Sequence, residues 1–182
     1  MKREKDKRTM RLFYAIGLWR LLDLSHLRDS LRDVTQLRWV TSDRVHITLR
    51  FLGEVEPGAL QELAGKLRDV AGKHEPFVLR WGRVGSFPRN GLPRVLWVGL
   101  DELSEEQVVN ISRDLGNDQP TPHVTVARVR GVLPRQVAKQ WETVECGWPQ
   151  VPVNQIELVE SKLTPAGPIY RTIAAEKLKA KS

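Results

Sequence analysis

Val45-His46-Ile47-Thr48-Leu49-Arg50-Phe51-Leu52-Gly53 decides how this chain is read, because His123-Val124-Thr125-Val126-Ala127-Arg128-Val129 repeats its His-x-Thr-x pattern 77 residues later. Branched and aromatic residues in both copies predict strands. The two-residue period of a strand then sets His46 beside Thr48, and His123 beside Thr125, on one face. Ile47 and Val124 turn the other way, into a core. Two such strands lying side by side would bring two imidazoles and two hydroxyls to the walls of one cleft.

Upstream of the first copy, residues 12–18 are apolar on both faces and suit a central strand covered on both sides. Leu24, Leu27, Leu31 and Val34 then recur at spacings of three, four and three, with Arg28, Asp29, Arg32 and Asp33 between them, which predicts an amphipathic helix. Residues 38–40 are extended, and residues 41–43 make a turn into the first His-Thr strand. Past Gly53, Pro57 stands at a first helical position, and Leu60, Leu63, Leu67 and Val70 predict a second helix that stops at Gly72. Residues 77–84 and 94–100 read as the strands of a hairpin joined by the turn-rich residues 86–93.

Ser104 with Gln107 reads as a capping box, flanked by Leu103 and Val108 as a hydrophobic staple, for a helix that closes at Gly116. Pro122 holds Thr121 extended ahead of the second His-Thr strand. Pro134 opens a helix whose buried stripe is Val137, Trp141 and Val144. Residues 153–163 and 169–174 read as two closing strands. With the duplicated motif, this order predicts an α+β fold: a bilobal, pseudo-twofold duplication of two mostly antiparallel sheets with outer helices and a central cleft. The expected organisation is a basic disordered head at residues 1–9, one bilobal domain at residues 10–178 and a basic tail at residues 179–182.

A chain of 182 residues that is 41% apolar can bury one substantial core. Its net charge of +7 is concentrated at the ends: residues 1–8 carry +3 and residues 176–182 carry +2, which leaves +2 for the body. Such tails solvate a terminus more often than they dock on nucleic acid. Cys146 is the one cysteine, so an intramolecular disulfide framework is excluded and a reducing, cytoplasmic setting is expected. Arg20 and Asp23 interrupt the apolar run after the basic head, which argues against a signal peptide. No apolar stretch approaches the ~20 residues of a membrane span.

Chemically, two imidazoles supply an acid and a base, and two threonines supply hydroxyl donors. That set can open a phosphodiester without a metal. Two imidazoles with no carboxylate or thiolate at ligand spacing would leave a divalent ion underdressed, so neither metal nor cofactor is expected. His26 and His74 read as solvated or capping residues. A cation should share the phosphate, and strand parity favours Arg50, four residues after His46. Arg128, five after His123, should point away.

The two motifs, His46-Ile47-Thr48-Leu49 and His123-Val124-Thr125-Val126, resemble those of the two-histidine phosphoesterase superfamily. Within it the chain is similar to the LigT-like RNA 2',3'-cyclic phosphodiesterases, once named 2'-5' RNA ligases. Supporting stretches are residues 11–16, 49–55, Phe87-Pro88, residues 93–99, Ser161-Lys162-Leu163 and Gly167-Pro168-Ile169-Tyr170, and the likeness covers residues 10–178. The resemblance implies hydrolysis of a 2',3'-cyclic phosphate on RNA ends or small cyclic nucleotides to a 2'-phosphate. His46, Thr48, His123 and Thr125 would be catalytic; His46 is assigned as acid and His123 as base, the two roles being exchangeable between the imidazoles. It also implies Arg128 as a phosphate ligand, which would need a bulge or bend to turn inward. The chain is expected to act as a monomer away from membranes. The alternatives are an ATP-independent 2'-5' ligase joining cyclic-phosphate and 5'-hydroxyl ends, and a non-catalytic RNA-binding module.

Overall fold

The computed structural model describes residues 9–180. The expected head at residues 1–9 lies, apart from Thr9, outside them, as do residues 181 and 182 of the tail. The described strands are β1 (Met10–Gly17), β2 (Leu37–Trp39), β3 (His46–Val55), β4 (Phe77–Leu79), β5 (Trp81–Phe87), β6 (Val95–Leu100), β7 (Val124–Val129), β8 (Val151–Val153), β9 (Gln155–Thr164) and β10 (Gly167–Lys177). The helices are α1 (Ser25–Ser30), α2 (Leu60–Ala71), α3 (Glu102–Asp114) and α4 (Arg135–Glu142).

The strands form two antiparallel halves, β10-β9-β1-β3 and β7-β6-β5 with β2 also on β7. One bridge, Ile47 to Val124, joins the halves into an eight-stranded sheet, and β4 and β8 pair separately. The chain path repeats across that bridge. After β3, α2 packs on β9 and β10 of its own half; after β7, α4 packs on β5 of the other. α3 crosses between them against β3, β6 and β4. This is the bilobal, pseudo-twofold α+β arrangement with outer helices that the repeated motif implies.

The main core lies between the sheet and the helices, where Leu12, Tyr14, Ile16, Ile47, Leu49, Val124, Val126 and Leu158 are all buried. Alternation sends their neighbours to the opposite face. There Phe13, Ala15 and Val159 form a second small cluster with Trp19 and Tyr170 packed against it. In the second half Trp141 is 1% exposed, packs edge-on to Trp39 and donates its indole N–H to Gly85 O at 2.8 Å. Trp141→Ala should cost about 3–5 kcal/mol, since it leaves a cavity and an unpaired carbonyl. A smaller loss of stability in urea would show that the site collapses to fill the space.

Several local expectations are corrected. The amphipathic repeat at Leu24–Val34 yields only six helical residues; past Ser30 the chain continues in three-residue turns, Val34 N to Leu31 O and Leu37 N to Val34 O. Leu24, Leu27 and Leu31 are buried all the same, because a 3₁₀-like spiral keeps the same apolar side inward. Residues 77–84 are two strands in different sheets, broken at Arg80. α3 is capped by Asp101, whose carboxylate accepts from Ser104 N at 2.8 Å. Ser104 is thus the third helical residue and not the cap, its hydroxyl accepts from Arg80 N, and Leu103 is 61% exposed and staples nothing.

Candidate active site

His46 opens β3, and His123 stands directly before β7. An antiparallel register centred on Ile47 and Val124 places His46 opposite Thr125 and Thr48 opposite His123. The four predicted residues therefore share one face at the seam between the halves. Their immediate wiring is duplicated as well. His46 Nδ1 lies 2.8 Å from Arg44 O, and His123 Nδ1 lies 2.7 Å from Thr121 O, each the carbonyl two residues earlier. A carbonyl only accepts, so each Nδ1 carries the proton and each neutral Nε2 keeps a lone pair directed elsewhere.

The two rings differ in their surroundings. His46 is walled by Phe13, Trp19 and Tyr170, with ring centroids at 5.1, 5.5 and 5.1 Å. Trp19 is itself held by its indole N–H on Glu157 Oε2 at 3.0 Å, and Thr172 donates to the same oxygen at 2.8 Å. His123 meets Phe87 edge-on at 4.9 Å and Trp97 at 6.5 Å. Burial pulls the His46 imidazole down to about 4, helped by the positive charges of His123 and Arg128 and opposed by the Arg44 carbonyl. Burial also lowers His123, opposed by the Thr121 carbonyl. Both rings are consequently neutral at pH 7 unless an anion joins them.

Two β-bulges decide which cation reaches the cleft. On β3, Ala15 pairs with Thr48 and Tyr14 with Arg50, so Leu49 is an extra residue. On β7, Trp97 pairs with Thr125 and Leu96 with Ala127, so Val126 is extra. The bulge stands at the same offset, three residues after each histidine, and each inverts the parity of the residues beyond it. Arg128 therefore faces the cleft, where its charge reaches both His46 and Tyr170. Arg50 faces away: its Nη1 donates to Leu115 O at 2.6 Å and closes the C-terminal end of α3. The parity expectation for Arg50 fails for this reason. A Cβ on Gly116 would stand 2.5 Å from that nitrogen, and φ there is +90°, so the cap also needs glycine.

The residue that matches Arg128 in the first half is Phe51, 68% exposed and 6.0 Å from the Phe13 ring. It escapes notice in the sequence because parity without the bulge puts it in the core. Tyr170 and Phe87 lie in stretches that carry the family resemblance, without a role assigned to either. His26 is exposed, and His74 Nε2 bonds Asp114 Oδ2 at 2.9 Å, away from the cleft. Among the described residues, no three His, Cys, Asp or Glu side chains are grouped to hold a metal ion, and no helix is long and apolar enough to cross a membrane.

A family model described as LigT like Phosphoesterase matches residues 22–97. RNA 2',3'-cyclic phosphodiesterase of Methanothermobacter thermautotrophicus is 32% identical over 178 residues, covering 88% of this chain and 95% of its own. The protein of the same name from Aeropyrum pernix is 36% identical over 165 residues, covering 82% and 92%. Among solved structures, TT0787 of Thermus thermophilus superposes with a TM-score of 0.80 at 26% identity, over 95% of this chain and all of that one. The apo form of E. coli LigT, at 22% identity and a TM-score of 0.68 over 95% of this chain and 99% of its own, shares the fold.

Proposed function

Because this chain belongs to the LigT-like RNA 2',3'-cyclic phosphodiesterases, we propose that its cleft hydrolyses the 2',3'-cyclic phosphate of RNA ends or small cyclic nucleotides to a 2'-phosphate, with His46 and His123 as the acid and base. The observation that carries this reading is the duplicated wiring: two imidazoles, each anchored through Nδ1, keep both Nε2 atoms available on either side of one seam. One phosphorus between them is the simplest occupant.

In the proposed step, neutral His123 takes a proton from water through Nε2 as the water oxygen bonds to phosphorus. The bond from phosphorus to the ribose 3'-oxygen breaks, and that oxygen takes a proton from His46 Nε2. The ring strain and tether of the substrate leave the protein mainly to orient water and move protons. His46 alone is neutral at pH 7, so its proton comes with the substrate: a phosphate anion offsets the Arg128 charge that disfavours imidazolium and adds an attraction of its own. The same anion also favours an imidazolium at His123, which burial lowers as well; His123 is taken as the base, and exchanged roles would serve the same step. Thr48, Thr125 and Arg128 would donate to the non-bridging oxygens as charge builds there. Phe51 would offer its exposed ring to a nucleobase.

The test is a panel of 2',3'-cyclic mononucleotides and oligoribonucleotides incubated in excess EDTA, with products identified by phosphorus NMR. Full activity in chelator and a 2'-phosphate product are expected. Activity lost in EDTA and restored by a divalent ion would overturn the metal-independent scheme, and a 3'-phosphate product would overturn the choice of leaving oxygen.

A further inference from the structure

Arg38 and Arg128 are directly opposed in the β2 and β7 ladder, so their side chains leave the sheet on one face. Like charges in that position destabilise a ladder. Arg44 joins them at the turn between β9 and β10, where Arg38 Nη2 donates to Ala166 O at 2.9 Å and Arg44 Nη1 approaches the same oxygen at 3.4 Å. One carbonyl cannot occupy two guanidiniums, each of which has five N–H donors. Among the described residues, no carboxylate stands within ion-pair distance of Arg38, Arg44 or Arg128. Asp43, next to Arg44, is held mainly by a hydrogen bond from Thr41.

The turn is shaped around these cations. Gly167 has φ +110°, and a Cβ there would stand 2.5 Å from Arg44 Nη1 and 3.3 Å from Arg38 Nη2. The cluster also adjoins the reacting centre, since Arg128 and Arg44 both act on the Tyr170 phenol, whose ring is 5.1 Å from His46. With a net charge of only +2 on the body of the chain, this concentration is local and not a reflection of general basicity.

We infer that Arg38 and Arg44 form a second anion subsite, continuous with Arg128, that takes the phosphate on the 5' side of the nucleotide bearing the cyclic end. The inference rests on the activity proposed above and narrows its substrate class. A cyclic end that carries an upstream phosphate engages both subsites, whereas a bare cyclic mononucleotide engages one.

Three substrates test it: adenosine 2',3'-cyclic phosphate, its 5'-phosphorylated form, and the dinucleotide ApA with a 2',3'-cyclic end. Arg38→Gln should lower kcat/KM on the dinucleotide about tenfold, the cost of one charge-assisted hydrogen bond. It should leave the bare mononucleotide within about twofold. Arg38→Lys should recover most of the loss, and the salt dependence of dinucleotide binding should be shallower for Arg38→Gln by about 0.7 in log–log slope. A matching loss on the 5'-phosphorylated mononucleotide assigns the subsite to any phosphate at that position, and a loss confined to the dinucleotide assigns it to the RNA chain. Equal losses on all three substrates, or none on any, overturn the inference. Titration with the 2'-phosphorylated dinucleotide product separates the two readings: if nothing turns over but this product binds Arg38→Gln more weakly than the unaltered protein, the activity fails and the subsite stands.

Discussion

His46→Ala and His123→Ala are each expected to reduce turnover of a 2',3'-cyclic substrate by at least about a hundredfold while the protein stays folded. A positioned proton donor or acceptor contributes roughly 10²–10⁴-fold, and neither ring takes part in the main core. Circular dichroism and a urea titration of each variant would separate lost chemistry from lost fold. The same assignment sets the pH dependence. The base must be neutral and the acid protonated, so activity falls on both sides of a bell whose two limbs belong to the pair of imidazoles. Burial lowers both in the free enzyme, His46 to about 4, and a bound phosphate anion raises them. Since kcat/KM reports the free enzyme and kcat the complex, the alkaline limb of kcat should lie at higher pH than that of kcat/KM. Coincident limbs would mean that the phosphate does not load the proton, and near-normal turnover of either Ala variant would remove that histidine from the mechanism and overturn the paired assignment.

The second large effect separates two arginines on which strand parity and the family resemblance disagree, the resemblance favouring Arg128. Arg128→Ala should lose about 10²–10³-fold in kcat/KM, the range found when a donor to a developing oxyanion is removed. Arg50→Ala should leave turnover within a few fold and instead cost about 1–3 kcal/mol of stability, because the Leu115 carbonyl loses its charged partner and α3 its C-terminal cation. Measuring kcat/KM and the urea midpoint for both variants gives a crossed pattern. If Arg50→Ala were the more damaging to catalysis, the bulges would not govern what reaches the phosphate.

That pair also shows how far the sequence could be read. The period of two correctly grouped His46 with Thr48 and His123 with Thr125, since nothing interrupts either strand before the threonine. It failed one step later, because a bulge is an extra residue relative to a partner strand. Which residue has no partner depends on β1 and β6, which lie far away in the chain. The aromatic wall of His46 was out of reach for a related reason: Phe13 and Trp19, in and just past β1, and Tyr170, far along the chain in β10, meet around it only once β1, β3 and the β9–β10 hairpin are assembled. Local signals were dependable where one side chain settles an end, as with Gly72 and Gly116, and misleading where candidates competed. Asp101 displaced Ser104 as the cap because the Ser104 hydroxyl was needed by the backbone of Arg80.

Two imidazoles with the same anchoring cannot tell a ligand which way round to lie. The difference must come from what borders them, and the repeated bulge presents a hydrocarbon ring on one side, at Phe51, and a fixed cation on the other, at Arg128. A molecule with a flat end and an anionic end would enter this near-symmetric notch in one orientation only. The handedness of the borders, and not any property of the imidazoles themselves, would then select which ester oxygen departs.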